Sequence, residues 1–400
     1  MPVLLIARTP GPLRRYFGAF ALSTLGGSMA YVAVLLVALD RSGSGLAVTA
    51  VLLAELLPVA LAGALFGSFA DRYSRRVLMV IADVLGGVAF VGLAFSDGIA
   101  PTIAFAVLAG FGVSLFMPTS KAAIGALAGD QTDEAMGASV TIFSASMLAG
   151  PAIGAGVLLF ASAETLLMAN AASFLISAVV IWGLPLDREP RRASAGETEE
   201  DEGDRRRSVR DGWRAMGDIR GLRLVVVLGA STALSLSMVN VAEPLLATGP
   251  LNAGAAGFSA LIACFGIGAV GGSLAGRAQM GRFIGAVIAC GVVLVMIGLA
   301  PSLLVAAPLM ALAGYLDGVM SSSDQRLIAD MTEEDQRGQA FGVKHSLDAS
   351  GVVVGFLLGG VLATASGPRP VFWVSGAVTA VFGVFALVRS RALRDAATNP

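Results

Sequence analysis

Long runs of apolar residues alternate with short polar segments along almost the whole chain. A helix needs about 20 apolar residues to cross the hydrocarbon core of a bilayer, and twelve runs of this kind are present. In the first half, the predicted spans are Phe17–Leu39, Leu46–Ala70, Val77–Phe95, Pro101–Ser120, Gly137–Ala161 and Glu164–Leu184. In the second half, they are Leu222–Ala247, Gly257–Gly276, Phe283–Ala300, Leu303–Ser322, Gly338–Ala365 and Pro370–Val388. The pattern predicts an all-α membrane protein with 12 transmembrane helices.

The basic residues indicate which ends of these spans face the cytoplasm. Cytoplasmic loops of membrane proteins carry an excess of Lys and Arg. If both termini are cytoplasmic, the cytoplasmic segments and adjoining helix ends hold all of the 27 Lys and Arg residues except Arg41 and Arg369. A wrong number of spans would scramble this alternation. We therefore expect a multi-pass protein of the cell membrane with both termini in the cytoplasm.

One long hydrophilic segment divides the chain. Residues 187–220 include the acidic run Glu199–Glu202, and their composition is typical of a solvated linker. Within them, Val209–Ile219 could form a short interfacial helix. We predict an N-terminal six-helix bundle at 1–186, a cytoplasmic linker at 187–220 and a C-terminal six-helix bundle at 221–400. The alternative to a simple tether is a regulatory or partner-binding loop.

The bulk composition agrees with a membrane protein. Mean hydropathy is +0.80 and only 14% of the residues are charged, whereas soluble chains have about a quarter. Cys264 and Cys290 lie in apolar spans, and His345 is the single histidine, so neither a disulfide framework nor a His-rich metal site is indicated. No Ser-His-Asp set and no phosphate-binding loop is visible. We expect no enzyme activity, no metal, no cofactor and no nucleic-acid partner.

The two halves of the chain repeat each other. A shift of 205 residues aligns Gly67–Arg72 with Gly272–Arg277, and it places Gly137, Gly150 and Gly154 on Gly342, Gly355 and Gly359. Duplication of a six-helix unit explains why these separate segments all align at the same shift. The second copy has Gly276 where the first has Asp71, so only the first copy has an acid at this position.

The segment between spans 2 and 3 has a distinctive pattern. Gly67 allows close helix approach, Asp71 can accept hydrogen bonds from a helix end or pair with a guanidinium, and Arg72, Arg75 and Arg76 place fixed positive charges at the membrane surface. We interpret Gly67–Arg76 as a short hydrophilic turn between two membrane helices.

The fifth span contains a second pattern, in which Pro151 stands between Gly150 and Gly154. Proline removes a backbone donor and favours a kink, while glycine permits tight packing on a neighbouring helix. The segment is therefore either a candidate conformational element or simply a kinked packing helix.

Together, these features resemble the major facilitator superfamily. The Gly67–Arg76 pattern resembles its loop signature, and Gly150–Gly154 resembles the G-P-x-x-G segment of its exporters; the nearest branch includes macrolide and siderophore exporters. The resemblance implies two pseudo-symmetric six-helix bundles that rock around a central cavity lined by helices 1, 4, 7 and 10. It also implies that the Asp71 loop gates the cycle by docking against span 11. The chain departs from the family in one respect. Many proton-coupled drug exporters carry an arginine within the fourth helix, whereas the fourth span here has none.

Five acidic residues lie within the predicted spans, where charge is costly and each acid suggests a function or a buried partner. They are Glu55, Asp83, Glu243, Asp317 and Asp348, and Asn240 accompanies Glu243 on span 7. Glu55, Glu243 and Asp317 have no basic residue in a span at comparable depth. Burial without a cation favours the neutral carboxyl, so these acids are candidates for proton coupling or substrate contact.

Each candidate also has a structural reading. Glu55 and Glu243 could stay hydrated near the outer interface, and Asp317 could be hydrogen-bonded within the bundle. Asp83 could pair with loop arginines, and Asp348 could form an i,i+4 ion pair with Lys344. Phe and Met residues of spans 1 and 4 could line an apolar pocket or simply pack: Phe17, Phe20, Met29, Phe105, Phe111 and Met117.

We expect a secondary exporter that expels hydrophobic or amphipathic small molecules in exchange for protons. Its partners would be a small-molecule substrate, protons and the lipid bilayer, and we expect a monomer. The alternatives are a uniporter or importer of a small metabolite, which a polar pocket would favour, and a non-transporting membrane sensor whose output segment is 187–220.

Overall fold

The computed structural model of this protein describes residues 11–186, 221–275, 279–332 and 337–398, without the side chains of 60–72, 130, 133, 148, 337–339 and 391–398. These residues form long α-helices and no strands. The helices are α1 Gly11–Asp40, α2 Gly45–Arg72, α3 Arg75–Phe95, α4 Ile99–Ala128, α5 Thr132–Val157, α6 Ala163–Trp182, α7 Leu222–Thr248, α8 Gly254–Ala275, α9 Met280–Leu299, α10 Leu303–Met331, α11 Arg337–Ser366 and α12 Pro368–Thr398.

These helices match the predicted spans one for one. Within the described residues, 11 are long and apolar enough to cross a membrane, and the remaining one, α2, has an apolar part described over Gly45–Val59. Several helices extend past the predicted ends: α4 reaches Ala128, and α10 reaches Met331. These helices continue where the apolar run stops, because the backbone hydrogen bonds of a helix form with polar side chains as well as with apolar ones.

The chain divides into two compact units, residues 1–43 with 50–194, and residues 44–49 with 195–400. In the first unit α1 packs on α4, α5 and α6, and α3 packs on α4 and α6. In the second unit α7 packs on α10, α11 and α12, and α9 packs on α10 and α12. These pairs are equivalent when six is added to each helix number. The predicted linker 187–220, including Val209–Ile219, lies outside the described residues.

Glycines bring the equivalent helices of each unit into backbone contact. A Cβ added at Gly150 of α5 would overlap Ser28, and one added at Gly154 would overlap the Met29 backbone of α1. In the second unit, Cβ atoms added at Gly355 and Gly359 of α11 would overlap the Leu234 and Met238 regions of α7. The 205-residue sequence repeat therefore preserves a helix–helix contact in each unit.

An aromatic cluster fills one end of the first unit. Tyr16, Phe17 and Phe20 of α1 are buried in it, and the ring of Phe20 stacks on Tyr16 and on Phe116, with centroid distances of 5.9 and 6.3 Å. The packing interpretation of Phe17 and Phe20 is therefore the one the structure supports.

The two basic residues outside the cytoplasmic pattern hold equivalent helix ends. Arg41 donates hydrogen bonds to the carbonyl of Ala94 at the end of α3, to Thr102 Oγ1 at 2.8 Å and to Ser96 Oγ. Arg369 donates to the carbonyl of Ala300, which follows α9. A cation at a helix C-terminus satisfies unpaired carbonyls and the negative end of the dipole. Burial lowers the pKa of Arg41, and nearby carboxylates oppose this shift.

Candidate functional site

The Gly67–Arg76 segment is more helical than the sequence analysis predicted. α2 continues through Gly67, Asp71 and Arg72, and only Tyr73 and Ser74 separate it from α3. The interpretation of the whole segment as a turn is thus wrong, because Gly67–Arg72 contains no proline and continues the helical run. The side chains of Gly67–Arg72 lie outside the described residues.

Arg76 lies in the first turn of α3, next to Arg75. Its Nη2 donates a 2.7 Å hydrogen bond to the carbonyl of Leu184, just beyond the end of α6. This contact ties the start of α3 to the end of α6. A role for Arg75 and Arg76 in gating stays a prediction.

The Gly150–Gly154 segment lies inside α5, which runs unbroken from Thr132 to Val157 around Pro151. Its glycines pack on α1, as described above, so the packing function of Gly150 and Gly154 is visible. Their conformational role stays a prediction.

The first unit contains two of the candidate acids. Glu55 of α2 is partly buried, and its backbone carbonyl packs so closely on Gly110 of α4 that a Cβ there would overlap it. Asp83 of α3 is fully buried, and neither of its carboxyl oxygens has a hydrogen-bond partner among the described residues. The expected pairing of Asp83 with loop arginines is absent for Arg75 and Arg76, the two loop arginines whose side chains are described.

Glu243 is buried near the end of α7, with 5% of its surface exposed. Its Oε1 has no hydrogen-bond partner within the described part of the chain, so hydration at the outer interface does not describe its surroundings. Asn240 is partly buried three residues earlier, on the same face of α7. An unpaired carboxyl with an adjacent amide can hold a proton or contact a polar group of a ligand.

Asp317 lies at the midpoint of α10, 14 residues from Leu303 and 14 from Met331. It is partly buried, and the described residues offer it no ion pair. It lies near the buried thiol of Cys290 on α9 and within electrostatic range of Asp324, two turns further along α10.

Asp348 joins a cluster of charges between α10 and α11. Lys344 forms the predicted i,i+4 ion pair with Asp348, and its Nζ also lies 3.1 Å from Oδ2 of Asp324. The side chains are 7% exposed for Asp324, 15% for Lys344 and 22% for Asp348. We call Asp324, Lys344 and Asp348 the triad.

Sequence reasoning missed Asp324 because the predicted tenth span ended at Ser322. The helix continues to Met331 and keeps Asp324 buried. A usable signal was present: Asp324 is seven residues after Asp317, which places both acids on one face of a continued helix.

A helical protein with an internal repeat, many membrane-spanning helices and several buried carboxyl groups has the design of a secondary transporter. Residues 16–284 and 225–399 match the sequence model of the Major Facilitator Superfamily. The chain belongs to this superfamily, and it is a multi-pass membrane transporter.

Relatives of known name are similar over nearly the full length. The multidrug efflux pump Tap of Mycobacterium tuberculosis is 27% identical over 408 residues, which cover 96% of this chain and 94% of Tap. Its counterpart in Mycolicibacterium fortuitum is also 27% identical, with 98% of both chains covered. The uncharacterized MFS-type transporter YfiS of Bacillus subtilis is 24% identical, with 92% and 90% covered.

Solved structures share the fold. The nucleoside transporter NupG superposes with a TM-score of 0.71 at 12% identity, covering 95% of this chain and 99% of NupG. A bacterial homolog of the human lysosomal transporter Spinster, in an inward-facing and unoccupied conformation, gives 0.70 at 14% identity, with 95% and 96% covered. At such low identity, these structures establish the fold alone.

Proposed function

We propose that this protein is a proton-driven exporter of hydrophobic or amphipathic small molecules such as drugs, antibiotics or siderophore-like metabolites. It would work in the cell membrane as a monomer with cytoplasmic termini, and the proton gradient would be its energy source in place of a cofactor. The likeness to two proteins named as multidrug efflux pumps, over more than nine-tenths of the chain, supports export.

The observation that carries proton coupling is Glu243, a buried carboxyl whose Oε1 has no hydrogen-bond partner in the described chain. Leaving an ionised carboxylate unpaired in an apolar environment is costly, so such a group holds a proton until water or a cation reaches it. Glu55 and Asp317, both partly buried, are the other candidates for proton coupling. Asn240 would orient the Glu243 carboxyl or contact the substrate.

The conformational cycle would use the segment that ends α2. By the family resemblance, Asp71 and the arginines Arg72, Arg75 and Arg76 form a cytoplasmic gate that docks against α11 in the outward-open state. Export then follows alternating access: the substrate enters from the inner side, and the proton binds from the outer side. The close α1–α5 contact at Gly150 and Gly154, on either side of Pro151, would let these helices move as one body.

A drug-accumulation panel in cells lacking their own pumps tests this proposal. We expect cells carrying the protein to accumulate less of several unrelated lipophilic compounds, and a protonophore should restore accumulation because it removes the driving gradient. Compounds excluded equally well with the protonophore present would contradict proton coupling. Unchanged accumulation across a broad panel would contradict export.

Single-residue variants distinguish acids that carry the proton from acids that are not needed for coupling. Glu55→Gln, Glu243→Gln and Asp317→Asn remove a titratable proton but keep the shape of the side chain, so we expect at least one to abolish protonophore-sensitive export. Asp330→Asn is the matched control, because Asp330 is exposed near the end of α10. If all three variants export like Asp330→Asn, these acids do not carry the proton.

The gate has its own test. Asp71→Asn removes the charge that would dock α2 against α11, so we expect export to fall while the amount of folded protein in the membrane stays the same. Asp97→Asn, in the exposed α3–α4 connection, is the control. Unchanged export by Asp71→Asn would reject the gate and leave proton coupling unaffected.

A further inference from the structure

The triad is a compact set of opposite charges within the second unit. Lys344 of α11 contacts both Asp348 on its own helix and Asp324 on α10. The backbone of α7 lies directly over these groups: a Cβ added at Gly229 would be 3.5 Å from Asp348 Oδ1, 3.6 Å from Asp324 Oδ2 and 3.8 Å from Lys344 Cε. Three helices therefore enclose one lysine and two carboxyl groups.

The charges of the triad do not balance. Two carboxylates and one ammonium leave an excess of one negative charge. Oδ1 of Asp324 and Oδ1 of Asp348 are both buried without a hydrogen-bond partner in the described chain, and the Asp324 residue is 5% exposed. A buried carboxylate is stable only when a cation, donors or a proton compensate it. Lys344 can neutralise one carboxylate, so the second lacks a compensating group.

The helices around the triad do not supply a second cation among the described side chains. Among the described side chains, Asp317 lies within electrostatic range of Asp324 and adds negative charge. Apart from Lys344 and Arg369, the basic residues of these helices whose side chains are described are exposed: Arg223 of α7, Arg282 of α9, Arg326 of α10, His345 of α11 and Arg389 of α12. Arg369 of α12 is engaged with Ala300, and α8 presents the thiol of Cys264.

The position of the triad gives a proton a short route to water. Asp324 is seven residues from the end of α10, and Lys344 is seven residues from the start of α11, so each lies about 10 Å along the helix from these ends. Both ends belong to the side predicted to face the cytoplasm. Asp348 is the most exposed member of the triad, with 22% of its side chain accessible.

From these observations, we propose that the triad is a proton-binding site in which Asp324 and Asp348 share one exchangeable proton and Lys344 keeps the other carboxylate ionised. Proton binding forms one carboxyl O–H bond and leaves a neutral set of charges. Proton release breaks that bond, passes the proton to cytoplasmic water and restores the excess negative charge. A role of the triad in transport rests on the proposed proton-driven export. In that export, the triad would be the site that releases the proton to the cytoplasm.

Infrared difference spectroscopy of the purified protein between acid and alkaline pH tests proton binding without transport. Several carboxyl groups contribute to the protonated-carboxyl band of the wild type, and we expect one component of it to be absent in both Asp324→Asn and Asp348→Asn, because each variant leaves one neutral Lys–Asp pair. Asp330→Asn should retain that component. Since each triad variant keeps one ion pair, at least one should fold; a thermal melt in detergent checks this.

Transport measurements then link the site to coupling. In proteoliposomes with ethidium as the probe, Asp324→Asn should lose uphill transport driven by a pH gradient but keep exchange of labelled for unlabelled ethidium, whereas a merely structural triad would lose both. Persistence of that infrared component and of gradient-driven transport in both Asp324→Asn and Asp348→Asn would overturn the proposal. If wild-type transport ignores the gradient, the proposed function fails, and the infrared result still decides whether the triad binds a proton.

Discussion

At the scale of single residues, the two basic side chains that break the charge pattern have a clear structural task. Arg41 and Arg369 each bind a carbonyl at the end of an equivalent helix, α3 or α9. The two arginines are not at equivalent positions of the sequence repeat. The same helix end is therefore stabilised in both units, but by a residue from a different position. The positive-inside pattern thus tolerates exceptions where a guanidinium satisfies a helix terminus.

Replacing Arg41 by Gln should destabilise the first unit. The variant loses charge-assisted bonds to Thr102, Ser96 and the Ala94 carbonyl, and leaving such partners unpaired costs about 1–3 kcal/mol. We expect a lower thermal midpoint in detergent, and Arg14→Gln, at an exposed position of α1, should leave it unchanged. Equal midpoints for both variants would show that the Arg41 contacts contribute nothing to stability.

Asp83 gives the opposite expectation. Its carboxyl group is fully buried, has no ion pair within the described residues and has the Ser177 hydroxyl nearby, and a buried charge without a cation is destabilising. Asp83→Asn should therefore keep or raise the thermal midpoint, relative to an Asp330→Asn control. A clear fall in the midpoint would mean that the carboxylate has a stabilising partner in the folded protein.

The sequence predicted some of these residue contacts and not others. The Lys344–Asp348 pair follows from i,i+4 spacing on a helix, so it could be predicted and is confirmed. The contact of Lys344 with Asp324 depends on how α10 and α11 pack. No spacing rule supplies that arrangement, since the two residues belong to different helices.

At the scale of helices, glycine positions decide which pairs approach closely. Gly154→Val in α5 would drive a branched side chain into the Met29 backbone of α1, and overpacking costs about 1–3 kcal/mol. We expect less folded protein by fluorescence-detected size-exclusion chromatography. Gly156→Val is the matched control, because a Cβ at Gly156 meets nothing within 4 Å. Similar yields for both variants would contradict the proposed packing.

Helix number was predictable because twenty apolar residues are required by the thickness of the bilayer. Helix ends were less so: α2 continues past Ala70 to Arg72, and α10 continues past Ser322 to Met331. A change from apolar to polar residues indicates where the lipid stops, whereas the helix stops only where its hydrogen bonding does. For this reason, the predicted tenth span ended before Asp324, and the helical segment that contains Asp71 was predicted to be a turn.

At the scale of the whole molecule, the sequence repeat and the helix pairing agree. The 205-residue shift predicted two copies of one unit, and the same helix pairs pack in both. The copies differ in their buried charges: Asp324, Lys344 and Asp348 of the second unit correspond to Thr119, Ser139 and Phe143 of the first. The second unit therefore has an ionic triad at positions where the first unit has none. This difference would confine the proposed proton site to one of the two units.

The central claim is that proton movement drives substrate movement, and uptake into proteoliposomes under an imposed pH gradient tests it most directly. Ethidium is a suitable probe because its permanent charge prevents passive trapping. With an acidic lumen, protons leave and ethidium should accumulate inside against its gradient, while protein-free liposomes should not accumulate it. If ethidium equilibrates through the protein at the same rate and to the same level with and without the pH gradient, the account is contradicted.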